Sequence, residues 1–418
     1  MNRIKKTMKS LGLPNKQTRK NNFSNITTIC PDTNICFAFG IESKSITQYF
    51  DDFDDFDLVV EPIVKIGVHS QNGFLQELEF NKNNYRAYAV LKSSVRSKAD
   101  NLYYEYLIGQ KLNLYHKFIP SLIETFNIYQ YQNKIAWEYS KNNSMLNDYQ
   151  MEFLFKNLKN ITDLDDPSLI LKSCERSKYL AIMIQLIKPA INIKRLLNDS
   201  YFNDYLLLPI IFQIYTSLYS LRKMFTHYDL HYENIILYSP KPNTYIHYHY
   251  HVGNTVVSFK SPYMVKIIDY GRSYFDVGNI YDQICQLCEE CGVSVGYQWL
   301  SGKENDPNSY YITPRFLNNS ADLRFLYDVK RKVKFPNIHL SKMLNIRYST
   351  RYGTPEDLTS VPNEIRNITD AFNMICQVMT SLEVLKMNDM SVSKMQKFCD
   401  LEIFVDMSQP MKFTKGRN

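Results

Sequence analysis

Two short polar motifs, each joined to an apolar strand, constrain the fold of this chain more than any other feature of its sequence. The first is His227-Tyr-Asp-Leu-His-Tyr-Glu-Asn234, in which an Asp and an Asn lie five residues apart just before the apolar residues 235–237. In the second, an apolar strand over 264–268 runs into Asp269-Tyr-Gly271. Either motif alone is explained by a turn, because Asp and Asn are common turn formers. Found together, each beside an apolar strand, the two motifs predict one shared functional site.

The residue types in these motifs fit the transfer of a phosphoryl group from a nucleotide. Such a transfer needs a carboxylate that orients the attacking hydroxyl, oxygen ligands for magnesium and a cation on the phosphates. Asp229 fits the first role, and Asn234 and Asp269 fit the second. The two motifs resemble the catalytic loop and the magnesium-binding Asp-Phe-Gly of the protein-kinase-like superfamily. The resemblance implies a bilobal α+β fold with ATP and Mg2+ as cofactors, a small β-rich N-lobe over 35–187 and a larger, mostly helical C-lobe over 188–405.

The N-lobe contains further segments that resemble this superfamily. Gly67 and Gly73 resemble the first and last glycines of the loop that covers the nucleotide phosphates, but residues 70–72 depart from the pattern, and an ordinary hairpin explains the segment nearly as well. A predicted strand that ends in Lys92 resembles the strand with the phosphate-binding lysine. The helix after it carries Glu105, which resembles the carboxylate that pairs with this lysine. Because a buried acid is costly unless it is paired, we expect Glu105 to contact Lys92.

The resemblance also predicts the link between the lobes and parts of the C-lobe. A buried apolar strand leads into a hinge whose backbone at Gln185–Ile187 would bind adenine. Residues 205–224 are predicted to form a long buried helix that leads into the catalytic loop. Asp322 resembles the helical aspartate that holds this loop in place. Gly353-Thr-Pro-Glu356 superficially resembles the substrate-binding segment of the family, but it lies late in the chain, and a helix start explains it better.

Two segments are expected to be insertions, a polar one over 138–178 and a β-hairpin over 243–260. Alternate residues of a strand share one face, which places three histidines of the hairpin together: His247, His249 and His251. Three imidazoles can bind zinc. Exposed strand histidines that lack support from a cysteine or a carboxylate mostly bind nothing, which favours no metal, and the sequence leaves open whether these three histidines bind one.

A second group of possible metal ligands follows the Asp-Tyr-Gly motif. Its thiols are three residues apart in a predicted helix and belong to Cys285, Cys288 and Cys291. No fourth cysteine follows nearby, so we expect a buried stripe of small residues rather than a metal site.

The positive charge of the chain is confined to its N-terminus. The chain has 418 residues and a net charge of +7, and residues 1–22 carry seven basic side chains and no acid, so the rest of the chain is neutral. Residues 1–34 are therefore expected to be a basic, disordered extension, and residues 406–418 a C-terminal tail. Because the rest of the chain has no net charge, we expect no sequence-specific binding of nucleic acid. Only the basic extension could contact a polyanion.

Cysteine content and apolar runs bear on location. Eight cysteines in 418 residues do not form a secreted disulfide framework, and neither a signal peptide nor a membrane span is predicted. An intracellular, reducing location is expected. Short runs such as Val-Leu-Lys-Ser at 90–93 and Ile-Asp-Tyr-Gly-Arg-Ser at 268–273 also resemble kinase-like proteins of giant DNA viruses, which would place the protein in the host cytoplasm or the virion. Oligomeric state stays open.

Three function classes are compatible with the sequence. The preferred one is a protein kinase that phosphorylates Ser/Thr or Tyr hydroxyls of a protein substrate. The second is a small-molecule kinase of the aminoglycoside or choline type, which His231 keeps open because Ser/Thr kinases usually carry Lys there. The third is an inactive kinase fold used as a scaffold, which the degraded glycine loop favours. The presence of all five predicted catalytic and metal-binding side chains argues against a scaffold, since a scaffold needs none of them.

The residue before the predicted catalytic Asp leads to a prediction about regulation. Many protein kinases carry Arg there, and it pairs with a phosphorylated activation segment. This chain has Tyr228, which offers no positive charge to a phosphate that carries about −1.5 to −2. We therefore expect that activity does not require phosphorylation of residues 272–320. Protein from a kinase-free host is assayed before and after phosphatase treatment, and a fall in transfer rate of about tenfold, about 1.4 kcal/mol in the barrier, would contradict this prediction.

Overall fold

The structure is a computed structural model, and it describes residues 30, 35–36, 40, 42–67, 73–95, 102–164, 176–276, 317–333, 339, 346 and 364–415. Helices and strands are mixed along the described chain. The helices are α1 (Ser43–Tyr49), α2 (Leu102–Asn113), α3 (Lys134–Asn142), α4 (Asp148–Lys156), α5 (Ile193–Leu196), α6 (Leu207–Leu221), α7 (Leu323–Lys332), α8 (Ile368–Met379) and α9 (Leu382–Ser391). Short 3-10 turns cover Asp51–Phe53, Phe56–Leu58, Ser177–Tyr179 and Tyr232–Asn234, and a π-helical turn covers Phe202–Leu206.

The strands pair into four sheets. They are β1 (Val59–Ile66), β2 (Gly73–Lys82), β3 (Tyr85–Ser94), β4 (Thr125–Tyr131), β5 (Met145–Leu146), β6 (Leu158–Asn160), β7 (Leu180–Gln185), β8 (Ala190–Asn192), β9 (Phe225–Thr226), β10 (Ile235–Tyr238), β11 (Thr244–Val252), β12 (Thr255–Ser261), β13 (Met264–Ile267), β14 (Tyr274–Phe275), β15 (Gln396–Phe404) and β16 (Lys412–Lys415). The sheet orders are β5-β1-β2-β3-β7-β4-β6, β13-β10-β8, β12-β11-β15-β16 and β14-β9. This is an α+β architecture, as the sequence predicts.

The first half of the chain is built on the seven-stranded antiparallel sheet. Buried and partly exposed residues alternate along β2, which is the pattern of a strand with one face in the core. Helix α2 packs against β4 and β7 at Gly109, where an added Cβ would lie 2.0 Å from the Thr125 hydroxyl oxygen. The close packing places α2 directly beside the end of β3, so that side chains of the two elements can meet.

The other face of this sheet carries an aromatic core. The rings of Phe53 and Phe80 are 5.0 Å apart, and those of Phe53 and Phe126 are 4.3 Å apart. Buried Met151 and Leu154 of α4 belong to the same core cluster. The described residues of the segment 138–178 are thus attached to this half of the molecule, with β5 and β6 at the two edges of the sheet.

Helix α6 is the centre of the second half. Nearly all of its side chains are buried, as predicted for residues 205–224, and a helix that is apolar all round must lie inside a core. The Tyr219 ring stacks on Phe372 of α8 with centroids 4.0 Å apart. Among the described residues no helix has the length and apolar character needed to cross a membrane.

The predicted hairpin over 243–260 is present as β11 and β12, and it turns at Gly253, which has a φ of 56°. The hairpin is packed into the core of this half. The rings of Tyr250 and Phe259 on its inner face lie 5.0 and 5.4 Å from the ring of Phe212 in α6. Strand β15, near the end of the chain, pairs in parallel with β11, and β16 pairs with β15. Part of the segment 406–418, which the sequence analysis treats as a tail, is therefore a strand of this sheet.

Some expectations concern residues outside the described ranges. These are the basic residues 1–29, the three cysteines Cys285, Cys288 and Cys291, and the segment Gly353–Glu356. Cys30 and Cys36 are described, and they form a disulfide that the sequence analysis does not predict.

Candidate active site

Antiparallel pairing of β10 with β13 brings the two polar motifs together. Ile235, the first residue of β10, lies opposite Ile267, the last residue of β13. The residue before β10 and the residue after β13 are therefore neighbours, and the Ile268 N–H donates to the Asn234 carbonyl at 3.1 Å. The end of the first motif and the start of the second thus meet at one end of a small sheet.

Asp322 holds the loop that contains the first motif. Its two carboxylate oxygens accept hydrogen bonds from the backbone N–H groups of His227 and Tyr228, both at 2.8 Å. Tyr228, the second of these two donors, has a left-handed backbone with φ of 62°. Burial raises the pKa of Asp322 to about 7, and the two N–H donors act in the opposite direction. The contact that the resemblance implies for Asp322 is present in the structure.

His227 connects this loop to the second motif. Its Nε2 lies 2.9 Å from the Ile268 carbonyl oxygen, so the neutral ring donates its proton there. The side chain is fully buried. Burial lowers the pKa of His227 to about 4, despite the opposing effects of the Ile268 carbonyl and of Asp269. The imidazole is therefore neutral at physiological pH, with its proton on Nε2.

Lys92 meets two carboxylates that come from different parts of the chain. Its Nζ lies 2.9 and 2.8 Å from the two oxygens of Glu105 and 2.9 Å from Oδ1 of Asp269. Burial disfavours the charge of Asp269, but Lys92, with smaller contributions from other neighbours, outweighs this effect, and the pKa of Asp269 is lowered to about 2. Gly271 lies against the pair, since an added Cβ would be 3.2 Å from Glu105 Oε2. The ion pair expected between Lys92 and Glu105 thus exists and extends to Asp269.

Asp229 and Asn234 lie on the same loop, and both are only 6% exposed. The Asn234 Nδ2 donates to the Asp229 carbonyl at 2.9 Å, so the amide oxygen is the atom that Asn234 could offer to a metal. The Asp229 carboxylate has two cationic or titratable neighbours, Arg324 Nη1 at 3.6 Å and His231 Nε2 at 3.8 Å from Oδ1. Burial and the nearby Arg324 lower the pKa of His231.

Arg324 is the residue of this site that the sequence analysis missed. It belongs to α7, whose N-cap is Asp322, and it is 6% exposed. The signal was present, because an arginine among Leu323, Phe325 and Leu326 at the start of a buried helix needs an acidic partner. The sequence alone does not indicate which acidic residue contacts Arg324 in the folded chain.

The predicted nucleotide-contacting glycines have structural reasons for being glycine. Gly67 has a φ of 81°, a conformation that other residues rarely adopt. A Cβ on Gly73 would lie 2.6 Å from the Ser93 carbonyl oxygen of the neighbouring strand. The loop between them, residues 68–72, is outside the described part of the chain. A nucleotide-binding role for Gly67 and Gly73 therefore stays a prediction.

Two N–H groups of the predicted hinge are already used inside the protein. The Gln185 N–H donates to the Glu124 carbonyl at 2.8 Å, and the Leu186 N–H donates to the Tyr88 carbonyl at 3.1 Å. The predicted contact of Gln185–Ile187 with adenine stays a prediction, and of these three residues only Ile187 could donate its backbone N–H to it.

Comparison with known proteins adds little to this geometry. No protein-family model and no curated protein matches the chain. Among solved structures, the chain is similar to the kinase domain of PF14_0431, with 15% sequence identity and a TM-score of 0.30 over 53% of each chain. The chain thus matches about half the length of that structure. A similarity this weak supports no conclusion about the fold or the function, so the interpretation of the site depends on the contacts described above.

The buried neutral state of His227 predicts a dependence of stability on pH. Its folded-state pKa, about 4, lies below the ordinary value near 6.5, so on acidification the unfolded chain binds the proton first. Stability that is present above pH 6.5 is lost as the pH falls toward 4, and this group alone contributes a loss of about 2 kcal/mol by pH 5. The measurement is urea unfolding at pH 8 and pH 5 for the wild type and for His227→Gln, which keeps an N–H donor. The wild type should lose more stability than the variant, and equal losses would contradict the assignment.

Proposed function

We propose that this protein is an ATP- and magnesium-dependent phosphotransferase with a bilobal protein-kinase-like fold, and that it acts as a protein kinase on Ser/Thr or Tyr hydroxyls. The observation that carries the proposal is the position of Lys92 between Glu105 and Asp269. Protein kinases pair a lysine of their third strand with a glutamate of the following helix, and hold magnesium with an aspartate of a second motif. Lys92 lies on β3, Glu105 lies on α2, and Asp269 follows β13.

The charges of this cluster support a site for a metal–phosphate complex. One ammonium group faces two carboxylates, so the three side chains together carry a charge of −1 at neutral pH, and Arg272 adds a smaller positive influence on Asp269. A divalent cation offsets such an excess. Asp269, whose pKa is about 2, and the amide oxygen of Asn234 are the proposed ligands, and Lys92 would contact the phosphates. Magnesium, when bound, neutralises charge on the phosphates that develops during transfer.

Asp229 is the proposed catalytic carboxylate. It orients the acceptor hydroxyl and accepts its proton. Arg324 and His231 both approach its Oδ1, and we assign them a positioning role, because they restrict the rotation of the carboxylate. The backbone of the same loop is held by Asp322, so that the position of Asp229 depends on contacts from α7 as well as from its own loop.

His231 favours a second candidate, a small-molecule kinase of the aminoglycoside or choline type, because it occupies the position at which Ser/Thr kinases usually carry Lys. Incubation of the full chain with ATP labelled at the γ-phosphate, magnesium and a panel of proteins, aminoglycosides and choline separates the two. Label in protein supports the protein kinase, and label in a small alcohol supports the alternative. Label in neither, with active control enzymes in the same panel, would contradict phosphotransferase activity and favour the scaffold.

The metal role of Asp269 predicts a loss of nucleotide binding in a simple variant. Asp269→Ala should abolish the magnesium-dependent rise in thermal midpoint that ATP produces in the wild type, because it removes a proposed magnesium ligand. The matched control is Asp57→Ala, an exposed acid far along the chain, which should keep the full shift. A shift of wild-type size in Asp269→Ala would remove this residue from the site.

Substitution of the proposed catalytic carboxylate predicts a different phenotype. Asp229→Asn keeps the size of the side chain and should leave ATP binding intact, but it removes the group that accepts the proton. We expect the transfer rate to fall by about 10²–10⁴. Single-turnover assays at saturating ATP measure this rate, and turnover equal to that of the wild type would show that Asp229 has no part in the chemistry.

A further inference from the structure

The histidines of the inserted hairpin have a carboxylate partner that comes from the other end of the sequence. Strand β15 runs parallel to β11, and Asp400 lies opposite His247 in their register. Asp400 Oδ1 is 3.3 Å from His247 Nδ1 and 3.5 Å from His249 Nε2. In the sequence no carboxylate lies near the histidines, which is why the hairpin alone favours no metal. The fold supplies that carboxylate.

The distances fit a shared metal ion better than they fit hydrogen bonds. A hydrogen bond between a charged nitrogen and a carboxylate is about 2.7–2.9 Å long, and both nitrogens are farther than that from Oδ1. Ligands about 2.0–2.1 Å from a tetrahedral zinc ion lie about 3.3–3.5 Å from one another. The two nitrogen–oxygen distances, 3.3 and 3.5 Å, have this length. All three ligand atoms lie within 4.8 Å of one another, and the rings of His247 and His249 are 4.1 Å apart.

The surroundings of His249 also fit a ligand. Its second ring nitrogen, Nδ1, is 3.0 Å from the Ser258 hydroxyl of β12. A metal-bound histidine typically donates its other N–H to a protein acceptor, which fixes the tautomer and the orientation of the ring. With the proton on Nδ1, His249 presents a lone pair at Nε2 toward Asp400.

Two lysines lie near this cluster and act against a cation. Lys397 Nζ is 2.8 Å from Asp400 Oδ2, the oxygen that does not face the histidines. Lys260 is held by Asp389 at 2.8 Å, which offsets its charge. The Lys397 contact leaves Asp400 to coordinate through Oδ1 alone and fixes the carboxylate in that orientation. The side chains of the three ligands are 25–27% exposed, so an ion can enter from solvent.

We propose that His247, His249 and Asp400 form a binding site for a divalent transition metal of the zinc type, with water as the fourth ligand. Two imidazole nitrogens and one carboxylate oxygen suit zinc and its neighbours in the first row, whereas magnesium and calcium prefer oxygen ligands alone. The ion would link side chains of β11 to a side chain of β15 and so attach β15 to the hairpin. This site is separate from the proposed phosphotransferase site and does not depend on it.

The test uses the full chain after removal of metal with a chelator. Titration calorimetry with Zn2+ should show one ion bound per chain, and Co2+ should give the visible absorption of a tetrahedral complex. His249→Gln and Asp400→Asn each remove a ligand and should weaken zinc binding at least tenfold. Ser258→Ala leaves all three ligands in place and removes the hydrogen-bond partner of one of them. We expect it to weaken zinc binding by about 10–100-fold. His251→Gln, on the same face of β11 but facing Glu402, is the matched control and should bind like the wild type.

The outcome that overturns the proposal is equal zinc affinity in the wild type, His249→Gln and Asp400→Asn, which would show adventitious binding at other surface groups. Lack of saturable binding by the wild type would overturn it as well. Thermal midpoints without metal show whether each variant is folded. If the ligand variants do not fold, the comparison of Ser258→Ala with the wild type decides, and equal affinities there would contradict the site.

Discussion

The ammonium group of Lys92 lies between two carboxylates, and the candidate active site depends on this contact more than on any other. It ties β3 to α2 through Glu105 and both to the end of β13 through Asp269. A partly buried ion pair adds little to stability, because the desolvation of the charges offsets most of their attraction. An apolar cluster would stabilise these three elements equally well. The presence of three charged groups here is therefore better explained by chemistry than by folding.

Backbone conformation at the site is consistent with this account. Tyr228 and Asp269 both have left-handed φ values, 62° and 69°, which cost non-glycine residues about 1–3 kcal/mol each. The contacts that offset this cost are those of the site itself, namely the two hydrogen bonds to Asp322 and the ion pair with Lys92. The strained backbone thus lies next to the two carboxylates proposed for catalysis and metal binding.

The parts of this site that could be predicted from the sequence are those encoded locally. Asp229 and Asn234 share one loop, and Asp269 follows the next long strand, so a motif and an adjacent apolar run were enough to find them. Lys92 and Glu105 are thirteen residues apart on a strand and the helix after it. Arg324 was not predicted as a residue of this site, because its partner Asp229 lies 95 positions away in the sequence. Asp400, the carboxylate proposed for the separate histidine site, was not predicted either, since His249 lies 151 positions away. Neither the sequence of β11 nor that of β15 indicates that the two strands pair in parallel. No sequence motif predicts the disulfide between Cys30 and Cys36 either.

We propose that Lys92 is a phosphate-binding cation and not merely one partner of an ion pair. The most direct test is the dissociation constant for ATP in the presence of magnesium, measured by calorimetry for the wild type and for Lys92→Met. Methionine keeps most of the length of the side chain and removes its charge. The account predicts saturable binding of one ATP by the wild type and an affinity at least tenfold lower in the folded variant, about 1.4 kcal/mol. Equal affinities, or a wild type that does not bind ATP, would contradict it.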